Sequence, residues 1–256
     1  MRYEILGGLR VVASDNVWTV SARKMETLLA ALVIRSDTVV SSDELIHEIW
    51  GEKPPRRATA TLHVYVSQLR KLLARHGSGG SQIITRSPGY TLRTESDQID
   101  VLLFQGLMND GRSALRTGRL EEASRLLREA LGLWRGAVPY ELREGPIVNA
   151  FAAWAEQARL ECIDLSVDVD LELGLHHELV SRLYTLVAEN PLHESLYRQI
   201  MLALYRCERR ADALAVYRQA RSTLNRELGL EPSRTLQELH QSILKQGDRL
   251  ALPAAV

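Results

Sequence analysis

The 256 residues, 45% hydrophobic and 25% charged, suit two soluble domains of ordinary size and exclude disordered or collagen-like chains. Lysine plus arginine and aspartate plus glutamate total 32 each, yet residues 1–93 carry 13 basic and 8 acidic groups, an excess of +5 that the remainder balances with −5. The longest run without a charged residue is the twelve of 58–69, which excludes a membrane-spanning helix of about 20 apolar residues.

Residues 2–20 alternate apolar and polar, with Tyr3, Ile5, Leu6, Val11, Val12, Val17 and Val20 punctuated by Gly7-Gly8 and Ser14-Asp15-Asn16. Three short antiparallel strands are predicted there. They carry apolar residues on more than one face, so the later part of the chain is expected to cover them. Ser21 opens a helix through Met25, Leu28, Leu29, Leu32 and Val33, at helical spacing. Ser41 followed by Glu44 has the form of a capping box, and its helix runs to Trp50 and stops at Gly51. Pro54-Pro55 stiffens a turn before a third helix over 56–75, and Gly77-Ser78-Gly79-Gly80 ends it. Ile83-Ile84-Thr85 and Tyr90-Thr91-Leu92 flank Arg86-Ser87-Pro88-Gly89 as a hairpin. Three helices and a hairpin describe a winged helix-turn-helix.

The third helix carries the chemistry. At about 100° per residue, Leu62, Val66, Leu69 and Leu73 fall within about 60° of one another, a core stripe. The opposite arc holds Arg56, Arg57, Ala60, Thr61, His63, Val64, Ser67, Gln68, Arg70 and Lys71, with no acid. Residues 53–93 hold eight basic residues and no carboxylate, a pattern that faces phosphate. The mixture of Arg, Gln, Ser, His and one exposed methyl-bearing Val is the set that reads base edges.

From about Gly106 the chain is predicted helical and repeats itself. Ala123, Leu127 and Ala130 correspond to Leu179, Leu183 and Leu186, and to Ala213, Tyr217 and Ala220. Gly118 and Gly174 stand five residues ahead of the first two triplets. The last two triplets are 34 residues apart, the tetratricopeptide period; the first two are 56 apart, which leaves room for a longer helix over 146–173. Pro191 and Pro232 close the second and third units. Such arrays expose a concave face that holds a protein or peptide.

The residues of catalysis are not assembled. No Gly-rich phosphate loop with a following Lys-Ser/Thr occurs, and His176-His177 point about 100° apart on a helix. Cys162 and Cys207 lack metal spacing and suggest a reducing compartment. Glu161, Asp164, Asp168 and Glu172 form an acidic stripe, read as a salt-bridged or solvated face rather than a cation site. Trp134 and Trp154 read as packing anchors. The start, Met1-Arg2-Tyr3-Glu4, lacks a secretory signal. No enzyme and no cofactor are expected, and the location is expected to be cytoplasmic.

Residues 61–71, Thr61-Leu62-His63-Val64-Tyr65-Val66-Ser67-Gln68-Leu69-Arg70-Lys71, with the wing Arg86-Ser87-Pro88-Gly89-Tyr90, resemble an OmpR-type winged helix. Leu131-Gly132-Leu133-Trp134-Arg135-Gly136, Leu202-Ala203-Leu204-Tyr205, Ala211-Asp212-Ala213-Leu214 and Glu227-Leu228-Gly229-Leu230-Glu231-Pro232 resemble the bacterial transcriptional activation domain. Together the two resemble a small Streptomyces antibiotic regulatory protein. The resemblance implies activation of a secondary-metabolite gene cluster from direct repeats near the −35 region. It also implies recruitment of RNA polymerase through the sigma factor and the C-terminal domain of the polymerase α subunit. Relatives often carry arginine where this chain has Thr91, so a minor-groove contact falls to Arg86 or Arg93.

The expected architecture is therefore helical with a small β component: a winged helix over 1–93, a linker over 94–99, a tetratricopeptide-like array over 100–246 and a tail over 247–256. His63, Val64, Ser67, Gln68, Arg70 and Lys71 are expected in the major groove. Arg56, Arg57, Thr59, Arg86 and Arg93 are expected on phosphate or in the wing, with Glu52 and Lys53 toward polymerase. The chain lacks a heptad seam, so a monomer in solution is expected, with two copies on a direct repeat of double-stranded DNA. The rival expectation is a peptide-binding adaptor whose winged helix serves protein interaction.

Overall fold

The computed structural model describes residues 1–13, 16–76, 82–94 and 97–245. The punctuation expected at Ser14-Asp15, the Gly77-Ser78-Gly79-Gly80 stretch and the expected tail 247–256 lie outside the described residues. Two compact units emerge: Met1–Asn109 with Glu129–Leu160, and Asp110–Arg128 with the chain from Glu161 onward.

The first unit opens with β1 (Arg2–Glu4), β2 (Arg10–Ala13) and β3 (Asn16–Trp18), the predicted antiparallel strands. Helix α1 (Arg23–Ile34), strand β4 (Val40–Ser41), helix α2 (Ser42–Trp50) and helix α3 (Ala58–His76) follow. The wing is β5 (Gln82–Arg86) and β6 (Gly89–Arg93), and β7 (Gln98–Ile99) pairs parallel with β1, giving a sheet of order β3-β2-β1-β7. This last strand, within the stretch expected as a linker, is two residues long and left no alternating pattern to read. Leu28, Leu29 and Leu32 of α1, Leu45 of α2, Leu62 and Leu69 of α3 and Leu92 of β6 are fully buried. Ser41 and Glu44 form the capping box: Ser41 Oγ accepts from the Glu44 amide at 3.2 Å, and Glu44 Oε2 accepts from the Ser41 amide at 2.9 Å.

Helices α4 (Asp100–Arg116), α5 (Leu120–Gly132) and α6 (Pro146–Glu172) come next, with a 3-10 turn at Tyr140–Leu142. The N-terminal strands are covered by residues of this region. Asp100 accepts from the amides of Ile5 (2.8 Å) and Leu6 (2.9 Å). Arg135 reaches Glu4 Oε2 at 3.3 Å and donates to the Gly8 carbonyl at 2.9 Å, while Trp134 meets Phe104 edge-on at 5.2 Å. Burial opposes the charge on Glu4, but Arg10, Arg2 and Arg135 hold its pKa below the ordinary carboxylate value. The Trp-Arg motif is thus a clasp on the first sheet, with Tyr3, Ile5, Leu6 and Val11 buried.

The second unit holds α7 (His176–Glu189), α8 (Glu194–Arg206), α9 (Arg210–Leu228) and α10 (Arg234–Leu244), with α8 packed on α7, α9 and α10. The acidic stripe of α6 meets partners: Glu161 with Arg112 (2.6 Å), Asp164 with His193 (2.8 Å) and Asp168 with Arg198 (2.7 Å).

The helical repeat is visible in its turns. Gly118 and Gly174 have φ of 73° and 82°, and the Arg119 and Leu175 amides each donate to a carbonyl five residues back, Ala114 and Asp170. This is a Schellman stop. The third helical hairpin makes the same stop at Glu208, with φ 61° and the Arg209 amide on the Leu204 carbonyl. The turn precedes each triplet by five residues, and only the third lacks the glycine that announces it.

Candidate nucleic-acid interface

Helix α3 divides as its sequence predicts. Leu62, Val66, Leu69 and Leu73 are buried. His63, Ser67, Gln68, Arg70 and Lys71 are exposed, as is Val64 at 51%. An isolated exposed valine is ordinary, but here it sits among hydrogen-bonding side chains on an arc without a carboxylate, where its methyl groups suit a thymine. The stack of Trp50 on Tyr65 (6.0 Å, 15°) and Lys24 over Trp50 (5.3 Å) brace the helix on its inner side.

The start of α3 suits phosphate. Its first turn carries no acid, so nothing offsets the positive end of the helix dipole. Arg56, Arg57 and Thr59 stand exposed around that end. Upstream, Glu52, Lys53, Pro54 and Pro55 are exposed as well, on a turn that begins where the Gly51 amide donates to the His47 carbonyl at 2.8 Å.

The wing depends on Gly89. A Cβ there would stand 1.9 Å from the Val40 carbonyl oxygen, so only glycine lets β6 close on β4. In the hairpin register Ile84 faces Thr91 and Arg86 faces Gly89. Side chains alternate along a strand, so Ile84, Arg86, Thr91 and Arg93 share one face. With Asp37 and Val39 they line a shallow pocket. Arg86 and Arg93 are both exposed.

Arg70 lies against the wing: Nε donates to the Ile83 carbonyl at 2.7 Å and Nη2 to Thr85 Oγ1 at 2.8 Å. Its guanidinium carbon lies 6.0 Å from the centroid of Tyr90, which His63 also meets edge-on at 6.5 Å. Thr85 and Tyr90 therefore tie α3 to the wing, although neither is among the expected site residues. The sequence marks Tyr90 only as the last residue of the wing motif, and Thr85 only as the end of a predicted hairpin strand.

Residues 99–244 match the family model described as bacterial transcriptional activator domain, and residues 19–92 the one described as transcriptional regulatory protein, C terminal. Among curated relatives, the regulatory protein DnrI of Streptomyces peucetius is 35% identical over 251 residues, which cover 96% of this chain and 92% of that protein. The regulatory protein AfsR of Streptomyces griseus is 37% identical over 99% of this chain, which spans 26% of AfsR. A solved structure of Mycobacterium tuberculosis EmbR in complex with a low-affinity phosphopeptide superposes with a TM-score of 0.89 at 32% identity, over 99% of this chain and 66% of that one.

Proposed function

This chain belongs to the Streptomyces antibiotic regulatory protein family of transcriptional regulators, and we propose that it is a sequence-specific activator of secondary-metabolite biosynthetic genes. One observation carries the reading: the exposed arc of α3 presents Val64, Ser67, Gln68 and Lys71, with His63 at its edge, and no acid among them. Gln68 suits adenine, Lys71 guanine, Ser67 either, and Val64 a thymine methyl. Arg56, Arg57 and Thr59 at the start of α3 grip phosphate, as do Arg86 and Arg93 of the wing, and these contacts fix register without reading sequence.

Two copies, monomeric in solution, occupy a direct repeat near the −35 region, facing the same way. Glu52 and Lys53 meet RNA polymerase, through its sigma factor or the C-terminal domain of its α subunit. Footprinting of the full chain on promoters of neighbouring biosynthetic genes tests this. The expected result is a tandem protected repeat whose affinity falls about 10³–10⁵-fold between 50 and 200 mM salt if six to ten phosphates are neutralised. Retention on DNA that is weak and insensitive to salt would favour the adaptor reading.

A further inference from the structure

We propose that Arg70 is a positioning residue, a strut that fixes the angle between the recognition helix and the wing rather than a reader of bases. His63 and Arg70 are seven residues apart, so they lie two turns apart on nearly the same line of the helix. Both flank Tyr90 of the wing, at 6.5 and 6.0 Å, and Tyr90 is 6% exposed. Arg70 adds hydrogen bonds to the Ile83 carbonyl (2.7 Å) and Thr85 Oγ1 (2.8 Å). The Nε–Nη2 edge, one of those an arginine forks onto guanine, is thereby closed on the protein. The remaining arc, with Ser67, Lys71, Val64 and Gln68, points about 60–160° away from this line.

The functional consequence is one of distance. A wing fixed to the helix meets DNA at a set separation from the bases read by Gln68 and Ser67. Loosening it leaves those base preferences in place and removes the wing's protection of the flanking segment. Lysine is a point charge and cannot span both acceptors at once, so Arg70→Lys should fall between wild type and alanine.

The inference rests on the DNA-binding reading above, and the test separates the two. Amide hydrogen exchange of β5 is measured in the unliganded full chain for wild type, Arg70→Ala, Arg70→Lys and Thr85→Val. The same proteins are then taken through footprinting and binding-site selection. Arg70→Ala should speed β5 exchange on the order of tenfold and shorten the footprint on the wing side, without relaxing preference at any single base pair. The Arg70→Ala/Thr85→Val double variant should lose less affinity than the two single losses combined, because both remove one contact. Unchanged β5 exchange in Arg70→Ala overturns the strut, as does preference relaxed at one base pair with additive losses. A wild-type chain without duplex affinity would overturn the DNA reading, while faster β5 exchange in Arg70→Ala would still support the helix–wing tie.

Discussion

Glu48 of α2 caps the start of α6 at Val148: its Oε1 lies 3.0 Å from that amide, and its Oε2 lies 2.7 Å from the amide of Ile147. A helix begins with orphan N–H groups that a nearby side chain usually satisfies. Here the cap comes from about a hundred residues upstream and is fully buried. Burial raises the Glu48 pKa above the ordinary carboxylate value, although the Val148 and Ile147 amides pull it down.

Removing that cap should cost stability. Glu48→Ala leaves two amides without their acceptor, a loss of about 2–3 kcal/mol. Gly145→Ala should cost as much, because its Cβ would stand 2.2 Å from Glu48 Cδ and 2.5 Å from the Glu48 carbonyl oxygen. Urea unfolding followed by tryptophan fluorescence measures both. A midpoint unchanged in either variant would show that the cap contributes nothing.

A fragment ending at Gln98 should keep part of the DNA affinity, since the basic residues lie upstream, but melt well below the full chain. It loses Asp100, whose carboxylate bonds the Ile5 and Leu6 amides, and Arg135, which pairs with Glu4. Circular dichroism melts beside gel shifts separate the two effects. Equal melting temperatures for fragment and full chain would remove the clasp from the account.

How far the sequence is legible follows from the kind of signal each element leaves. The leucine stripe of α3, the Ser41–Glu44 box and the glycine turns at 118 and 174 are local patterns, and they appear where they are expected. The contacts of Arg70 with the wing are not legible in the sequence, because a helical wheel gives direction but not reach, and its partners lie 13 and 15 residues downstream. Glu48, Asp100 and Arg135 look like surface charges in any window of sequence. Only the approach of distant backbone amides makes Glu48 and Asp100 interior residues, and only the distant Glu4 carboxylate and Gly8 carbonyl give Arg135 its partners.

Glu208 offers a stabilising substitution. The left-handed region costs a non-glycine residue about 1–2 kcal/mol, and the greater entropy of an unfolded glycine returns about 0.5–1 kcal/mol of that. Glu208→Gly should therefore stabilise by about 0.5–1 kcal/mol, read as a rise of about 2 °C in Tm. Gly174→Ala, at φ 82°, should move Tm the other way.

The His193–Asp164 pair should lose its contribution to stability as pH rises. The hydrogen bond from His193 to Asp164 raises the histidine pKa, burial opposes it, and the Asp164 charge adds to the rise. The folded state thus holds its proton more tightly than the unfolded one. Its contribution is full below about pH 6.5, the ordinary histidine value, and disappears as pH climbs through the raised folded pKa. The burial-lowered pKa values of His176 and His240 act in the opposite sense in both proteins, so the test is the difference: between pH 6 and 8 wild type should lose melting temperature relative to His193→Gln, and parallel curves would argue against the pair.

The turn before α3 allows binding and activation to be separated. Glu52 and Lys53 are exposed beside Pro54 and Pro55, and the turn is anchored by Trp50, whose ring stacks on Tyr65. Neither side chain belongs to the arc of α3 that faces bases in our proposal. Exposed single charges contribute little to fold stability, so Glu52→Ala with Lys53→Ala should leave the melting temperature and promoter footprint largely intact. Transcription from a purified polymerase should nevertheless fall, because the turn presents one negative and one positive group to a partner beside the DNA. Footprint and transcription lost in equal measure would place the turn in the DNA interface. Transcription unchanged would move the polymerase contact elsewhere on the chain.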